Sequence, residues 1–335
     1  MFEPRYDTTY FLIGCIEKIA AARALVTRTR TEEDVRAALE REMFERSVHS
    51  STKIEGNRLS LEQVAALHAG DSDLAAGKDR TEVENAIAAM HWMLRKRHVA
   101  MTEADLCMLH AKMTKGLLPK ERSGNYRTVQ NYIVDGRGQI IETPPAPKHV
   151  AKRMKALFVW LTKNTALHPI VRSAIFHHEF VTVHPFVDGN GRTVRAAAQW
   201  ILGASGYEPS VTLGLDEFFA NDRRRYYDMI QETHGIDGDY TQWIEYVAEG
   251  LVYAADRAGV QKRHVLEQVT DGYTGKQQEL LVMIKHSGLV GSAELCERMG
   301  VNRARMHEIL SPLVEAGAVV KIGKARATRY RYVIS

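Results

Sequence analysis

The sequence predicts a mainly α protein with one short β-hairpin among its helices and a small α+β unit at its C-terminal end. Three observations carry this. Apolar residues recur at helical spacing over most of the first 270 positions. One β-rich run, residues 130–142 (QNYIVDGRGQIIE), interrupts them. After Gly275 the pattern changes to short helices followed by alternating strands, and the charge turns positive.

In chain order, Glu32 to Ser51 carries Val35, Leu39, Met43 and Val48 on one helical face, with Thr31 placed to cap its start. The segment runs on into Ile54, and Gly56 supplies the left-handed residue that stops it. Ser60-Leu-Glu-Gln63 has the spacing of a capping box and opens the next helix. Further amphipathic helices fit at about 80–97, 102–114, 147–163, 166–183, 192–205, 215–233 and 240–268. The run 130–142 reads as a hairpin around a Gly-containing turn, closed by Pro144-Pro145. Two glycines in Asp271-Gly-Tyr-Thr-Gly275 mark the natural boundary of the last unit. The expected division is therefore 1–100, a helical N-terminal region; 101–270, a helical core; and 271–335, the α+β unit.

Composition narrows the function classes. With 335 residues, 45% hydrophobic and 26% charged, the chain can bury a real core, which excludes collagen, a coiled-coil rod and wholesale disorder. No apolar run reaches the ~18–20 residues of a membrane helix, and the N-terminus has no signal-peptide shape. Cys15, Cys107 and Cys296 lie far apart, so neither a disulfide framework nor a cysteine zinc site is indicated, and a reducing cytoplasm is the expected location. The net charge of +4 is unevenly spread: residues 276–335 hold ten Lys/Arg against five Glu, and the rest of the chain is nearly neutral. The positive charge is thus a property of one unit and its partners.

The most informative run is His184-Pro-Phe-Val-Asp-Gly-Asn-Gly-Arg-Thr-Val-Arg195. Pro185 and two glycines force a loop, and an apolar helix follows at once. Glycines at such a junction let backbone N–H groups converge on an anion, and the helix N-terminus adds its partial positive charge. Arg192 and Arg195, three apart, add guanidinium forks suited to a polyphosphate. Asp188 brings a hard oxygen ligand of the kind Mg²⁺ needs when it bridges phosphate oxygens. His184 is the natural proton acceptor near neutral pH.

Other readings fit less well. The third glycine of a dinucleotide fingerprint is Val194 here, and no strand precedes the run. No Walker A sequence exists in the chain. His177-His178-Glu179 invites a zinc reading, but the second histidine of HExxH would fall at Thr182.

The run resembles the signature of the Fic family, HxFx(D/E)GNGRxxR, at every specified position. Gly124-Asn-Tyr-Arg127 ahead of the hairpin, Pro144-Pro145 after it and Arg225-Tyr-Tyr227 beyond the core agree with that resemblance, which covers roughly residues 10–260. It implies a Fic-type helical core with a hairpin flap, and transfer of AMP from ATP to a protein Ser, Thr or Tyr hydroxyl. It further implies that His184 deprotonates the hydroxyl and that Asp188 holds Mg²⁺. Gly189, Asn190, Gly191 and Arg192 would cradle the phosphates, Arg195 would reach the γ-phosphate, and Tyr226 would line the adenine or ribose pocket. Position 234, often asparagine in that family, is histidine here. The hairpin, with Ile133 and Val134, would be the flap whose edge pairs with an extended target segment. UTP or GTP as donor stays open.

Ser51-Thr-Lys-Ile-Glu55-Gly56 fits the family's inhibitory motif (S/T)xxxE(G/N). Ser51 and Glu55 lie one above the other on a helix face. By resemblance Glu55 pairs with Arg195 and blocks the γ-phosphate site; in some relatives the same carboxylate orients water and AMP is removed instead. The C-terminal 60 residues resemble a winged helix-turn-helix domain. That likeness raises duplex DNA as a partner, through Asn302, Arg303, Arg305 and His307 near the groove and Lys324 and Arg326 in the wing. Winged helices also serve as protein-docking or dimer modules, so a homodimer and a DNA-binding regulator with a sensory core remain alternatives to the enzyme.

Overall fold

The computed structural model describes residues 2–28, 33–71, 77–134, 138–235, 238–270, 273–323 and 328–333. It is mainly helical, as expected. The N-terminal part holds α1 (Tyr10–Arg28), α2 (Glu33–Ile54), α3 (Leu61–His68), α4 (Lys78–Lys96) and α5 (Glu103–Met113). Thr31, the expected cap of α2, lies outside the described residues. α2 ends as its sequence requires: Gly56 takes φ +94°, and the capping box of Ser60 and Gln63 opens α3.

The hairpin is β1 (Ile133–Val134) against β2 (Ile140–Glu142), antiparallel with a register irregularity. Behind it come α6 (Pro147–Lys163), α7 (Pro169–Val183), α8 (Asn190–Gly203) and the single turn α9 (Pro209–Thr212). The expected helix over 215–233 is two helices, α10 (Leu215–Asn221) and α11 (Arg223–Gly235). Asp222 breaks it: its backbone leaves the helical region at φ −133°, ψ 74°, and its carboxylate accepts the Arg225 N–H at 2.9 Å, the role of an N-cap. α12 (Thr241–Thr270) completes this body.

Two helices were not anticipated, α1 and the single turn α9. α1 carries large apolar residues on its exposed side as well as its buried one, so apolar spacing does not announce it. Leu12, Cys15 and Ile19 are buried, whereas Tyr10, Phe11 and Ile13 are exposed.

The C-terminal unit runs α13 (Gly275–Ser287), β3 (Val290–Gly291), α14 (Ser292–Met299), α15 (Arg303–Glu315), β4 (Val319–Ile322) and β5 (Arg329–Tyr332), with sheet order β3-β5-β4, all antiparallel. It has its own core, including Leu280, Ile284, Leu295, Met306, Leu313 and Val319, separate from the large core that spans α1 to α12. Among the described residues no helix is long and apolar enough to cross a membrane.

Candidate active site

α7 is made to stop where the site begins. Pro185 excludes right-handed helix for the residue before it, and His184 takes the left-handed conformation at φ 48°, ψ 61°. It is the one non-glycine residue with positive φ among those described. Such a conformation costs about 1–3 kcal/mol and persists where neighbours over-determine it.

Arg127 supplies that constraint. It is 3% exposed, and its guanidinium donates to backbone carbonyls of His184 (2.8 Å), Val129 (3.1 Å), Val183 (3.3 Å) and Pro145. Its own N–H donates to the Pro185 carbonyl at 2.8 Å. One side chain thus ties the end of α7, the start of the loop and both feet of the hairpin together. Asn131 adds a second tie from hairpin to loop, donating to the Phe186 carbonyl at 2.9 Å.

A third brace comes from α5. The Gly124 N–H donates to His110 Nδ1 (2.8 Å), which leaves the proton on Nε2, and Nε2–H donates to the Asp188 carbonyl at 2.9 Å. The ring stacks on Phe186 with centroids 3.7 Å apart. Burial pulls the His110 pKa down to about 4, so the imidazole stays neutral and both bonds persist at physiological pH. At Gly189 (φ +77°) a Cβ would come within 2.9 Å of Thr114 Cγ2, so the loop approaches α5 as closely as only glycine allows.

The loop delivers its chain into α8 with no side-chain cap, so the first N–H groups of that helix remain an anion-seeking pole. A carboxylate already sits there. Glu55 Oε1 accepts from Arg195 Nη2 at 2.9 Å and lies so close over Gly191 that a Cβ would be 2.2 Å away. Ser51 completes the contact, its hydroxyl accepting from Arg195 Nε (2.9 Å) and its carbonyl from Nη2 (2.7 Å). Arg195 is 2% exposed. Burial works against its charge, but Glu55 above all, with Tyr226 and Asp216, more than compensates and raises its pKa. Asp216 Oδ1 lies 3.7 Å from Arg195 Nε, and its other oxygen accepts from Ser47 (2.7 Å) and Gln199 (2.9 Å).

His184 Nδ1 is buried without a hydrogen-bond partner. Burial pushes the His184 pKa below 6.5. The Val181 carbonyl opposes this most, Arg127 adds to it, and Glu142 and Glu55 oppose it weakly. The imidazole is therefore neutral at pH 7.

Three expected site residues have other occupations. Both polar ends of Asn190 are taken by Phe186: Oδ1 accepts its N–H (2.9 Å) and Nδ2 donates to its carbonyl (2.8 Å). Arg192 does not join Arg195; it is buried, with Nη1 3.5 Å from Glu82 on α4. Tyr226 is 1% exposed and its hydroxyl lies 2.9 Å from His177 Nε2, while Tyr227 is the exposed one of the pair. His177 and His178 are both buried; His178 Nε2 bonds the Ile230 carbonyl. Among the described residues no group of three or more His, Cys, Asp or Glu is placed to hold a metal.

Asp188 is exposed, with Oδ1 2.6 Å from the Gly189 N–H. One exposed carboxylate beside an anion pole fits Mg²⁺, which takes one or two carboxylates and completes its shell with substrate phosphates and water. In the flap Ile133 is half-buried, and Val134, Ile140 and Ile141 are exposed.

In the C-terminal unit Asn302 caps α15 by accepting the Arg305 N–H (2.9 Å), and Arg305 is paired with Glu308 at 2.6 Å. Arg303 and His307 are exposed; Lys324 and Arg326 lie outside the described residues.

Sequence reading passed over Arg127, His110, Glu82 and Asp216. Arg127 had a signal, since it closes the Gly124-Asn-Tyr-Arg127 run. The contacts by which the other three reach the site, His110 to Asp188, Glu82 to Arg192 and Asp216 to Arg195, each span more than 20 residues, which no local pattern reveals.

Residues 100–202 match the model of the Fic/DOC family. That stretch, about a third of the chain, is similar to the Fic/DOC family. It is 29% identical over 217 residues to the protein adenylyltransferase Fic of Nematostella vectensis, covering 62% of this chain and 47% of that protein. To the protein adenylyltransferase fic-1 of Caenorhabditis elegans it is 32% identical over 217 residues, covering 62% and 40%. The chain therefore spans less than half the length of these curated relatives. Among solved structures, a Fic family protein from Desulfovibrio desulfuricans G20 superposes over 99% of this chain and 98% of its own, with TM-score 0.70 and 27% identity. Fic-1 of C. elegans (residues 134–508) superposes over 76% of this chain and 73% of its own, with TM-score 0.62 and 26% identity. The mainly helical Fic-type fold is thus shared with these solved structures.

Proposed function

We propose that this protein is a Fic/DOC adenylyltransferase that moves AMP from ATP to Ser, Thr or Tyr hydroxyls of a target protein and of itself, held in check by Glu55. The observation that carries the reading is the Glu55–Arg195 pair seated over the uncapped pole of α8, in the helix that begins six residues after a neutral His184. The names of the relatives support the reaction class. In this reading residues 1–100 carry the brake, 101–270 the catalytic core and 271–335 an appended winged-helix unit.

Each residue then has a task. His184 takes the proton of the target hydroxyl as that oxygen bonds to the α-phosphorus and the bond to the departing pyrophosphate breaks. The first N–H groups of α8, from Gly189 to Gly191, receive phosphate oxygens. Arg195, once Glu55 withdraws, turns to the γ-phosphate. Asn190 keeps the loop folded onto Phe186 and contributes through its backbone, and Tyr226 backs the nucleoside end of the pocket. Asp188 would hold Mg²⁺, which when bound offsets the charge that builds on the leaving pyrophosphate. The flap edge at Ile133 and Val134 presents main chain to an extended target segment.

The test is incubation with ATP labelled at the α-phosphate and cell lysate, followed by mass spectrometry of labelled side chains. Glu55→Gly is expected to raise labelling about tenfold or more, because a charge-assisted contact of ~1.5–3 kcal/mol no longer competes with the triphosphate. No labelling by either form would overturn the reading, and loss of AMP from labelled targets would replace it with the reverse reaction.

A further inference from the structure

α2 is 22 residues long, about 33 Å, and touches a different partner on each successive turn. At its C-terminal end Ser51 and Glu55 grip Arg195. One turn earlier Ser47 donates to Asp216, itself a neighbour of Arg195. Glu45 meets His68 of α3 at 2.7 Å and Arg41 at 3.0 Å. Glu42, 13 residues before Glu55, meets the C-terminal unit: its Oε2 lies 2.9 Å from Lys285 Nζ of α13, and both side chains are more than nine-tenths buried.

The rest of this junction is built for the same contact. α13 lies along α2. Lys285 Nζ sits 4.4 Å above the ring of Tyr332, the last residue of β5. Arg41 packs its guanidinium against the backbone of Gly288, where a Cβ would be 2.2 Å away. Arg331 donates to the Glu62 carbonyl at 3.3 Å, adding α3 to the contact. The remaining cavity, about 20 Å³ between Arg41, Glu42, Glu45, Lys285 and Arg331, is the size of one water.

A buried ion pair between two bodies with separate cores is poor glue by itself, because desolvation offsets much of the attraction. It is strict about geometry, however: when the C-terminal unit withdraws, Lys285 loses its buried carboxylate, and Glu42 keeps Arg46, 3.2 Å away on the same helix. We propose that the C-terminal unit is the docking partner of the brake helix, and that the Lys285–Glu42 contact holds α2 in the register that seats Glu55 on Arg195. A rigid helix transmits displacement along its axis, and Ser47–Asp216 and Ser51–Arg195 lie on that same rod. The apolar face of α2, with Met43, Phe44 and Val48 in the main core, fixes the helix sideways, and the junction fixes its position along the axis. Any ligand that draws the C-terminal unit away thereby loosens the brake. The functional consequence rests on the reading of Glu55 given above; the mechanical coupling does not.

The experiment is hydrogen exchange on the full-length chain. Lys285→Glu places two carboxylates at the junction, and amides of residues 51–56 are expected to exchange roughly tenfold faster or more while α6, remote from the junction, keeps its wild-type rate. Lys285→Met is the milder second variant and decides the matter if charge reversal unfolds the protein. Wild-type exchange at 51–56 in the variant that remains folded overturns the proposal. In the labelling assay, Lys285→Glu is expected to raise self-labelling and to add nothing on top of Glu55→Gly; an additive rise would place the junction outside the brake. Should Glu55→Gly itself fail to label, the enzymatic reading falls, whereas the exchange result still decides the coupling.

Discussion

His184→Asn, made together with Glu55→Gly, lowers AMP transfer by about 10²–10⁴ relative to Glu55→Gly alone, the usual worth of a positioned general base. Asparagine is the informative replacement. It adopts the left-handed conformation that His184 holds at φ 48°, so the loop keeps its shape while the base is lost. Nucleotide affinity, measured by calorimetry with a non-hydrolysable ATP analogue, should stay within a few-fold, because the α8 pole and Arg195 are untouched. A parallel loss of affinity would show that His184 serves the fold of the loop and not the proton.

The pH profile supplies a second check on the same residue. A base works when unprotonated, and burial holds the His184 pKa below 6.5. Transfer should therefore remain level down through pH 6.5 and fall only at lower pH, as the folded-state pKa is crossed. Glu55 opposes the depression, so its removal moves the acid limb lower still. A limb at or above pH 6.5 in Glu55→Gly would contradict the burial seen here.

Arg127→Ala should be nearly as damaging, by a different route. The guanidinium satisfies carbonyls at His184, Val129, Val183 and Pro145, and each buried carbonyl left without a partner costs about 1–3 kcal/mol unless water enters. The loop then relaxes from its strained turn, and an error on the order of 1 Å at the reacting atoms is worth about 10² in rate. The expected outcome in a Glu55→Gly background is a loss of transfer of about 10² or more with a fall of several degrees in melting temperature. Arg127→Lys should not restore it, because one ammonium cannot span carbonyls on three segments. A variant as stable and active as its parent would remove Arg127 from the site.

Much of this was legible in the sequence for a definite physical reason. Helix spans, the stop at Gly56, the capping box at Ser60 and the loop-to-helix junction at Gly189 depend on residues within a few positions of one another, and local hydrogen bonds obey local spacing. The broken helix at Asp222 belongs with these, since an aspartate three residues before the N–H it caps is a local signal that apolar spacing overrode. α1 was not legible, because Tyr10, Phe11 and Ile13 on its exposed side blur the contrast between faces on which periodicity depends.

What the tertiary structure alone decided is where long side chains end. Arg192 and Arg195 look equivalent in sequence, yet one meets Glu82 and the other Ser51, Glu55 and Asp216, partners set by how α2, α4 and α10 pack around α8. His110 reaches Asp188 across 78 residues, and Lys285 reaches Glu42 across more than 240. A buried charge must find a counter-charge somewhere, but the chain's own order does not say which one, because the choice is made by whichever backbone the core brings within about 3 Å.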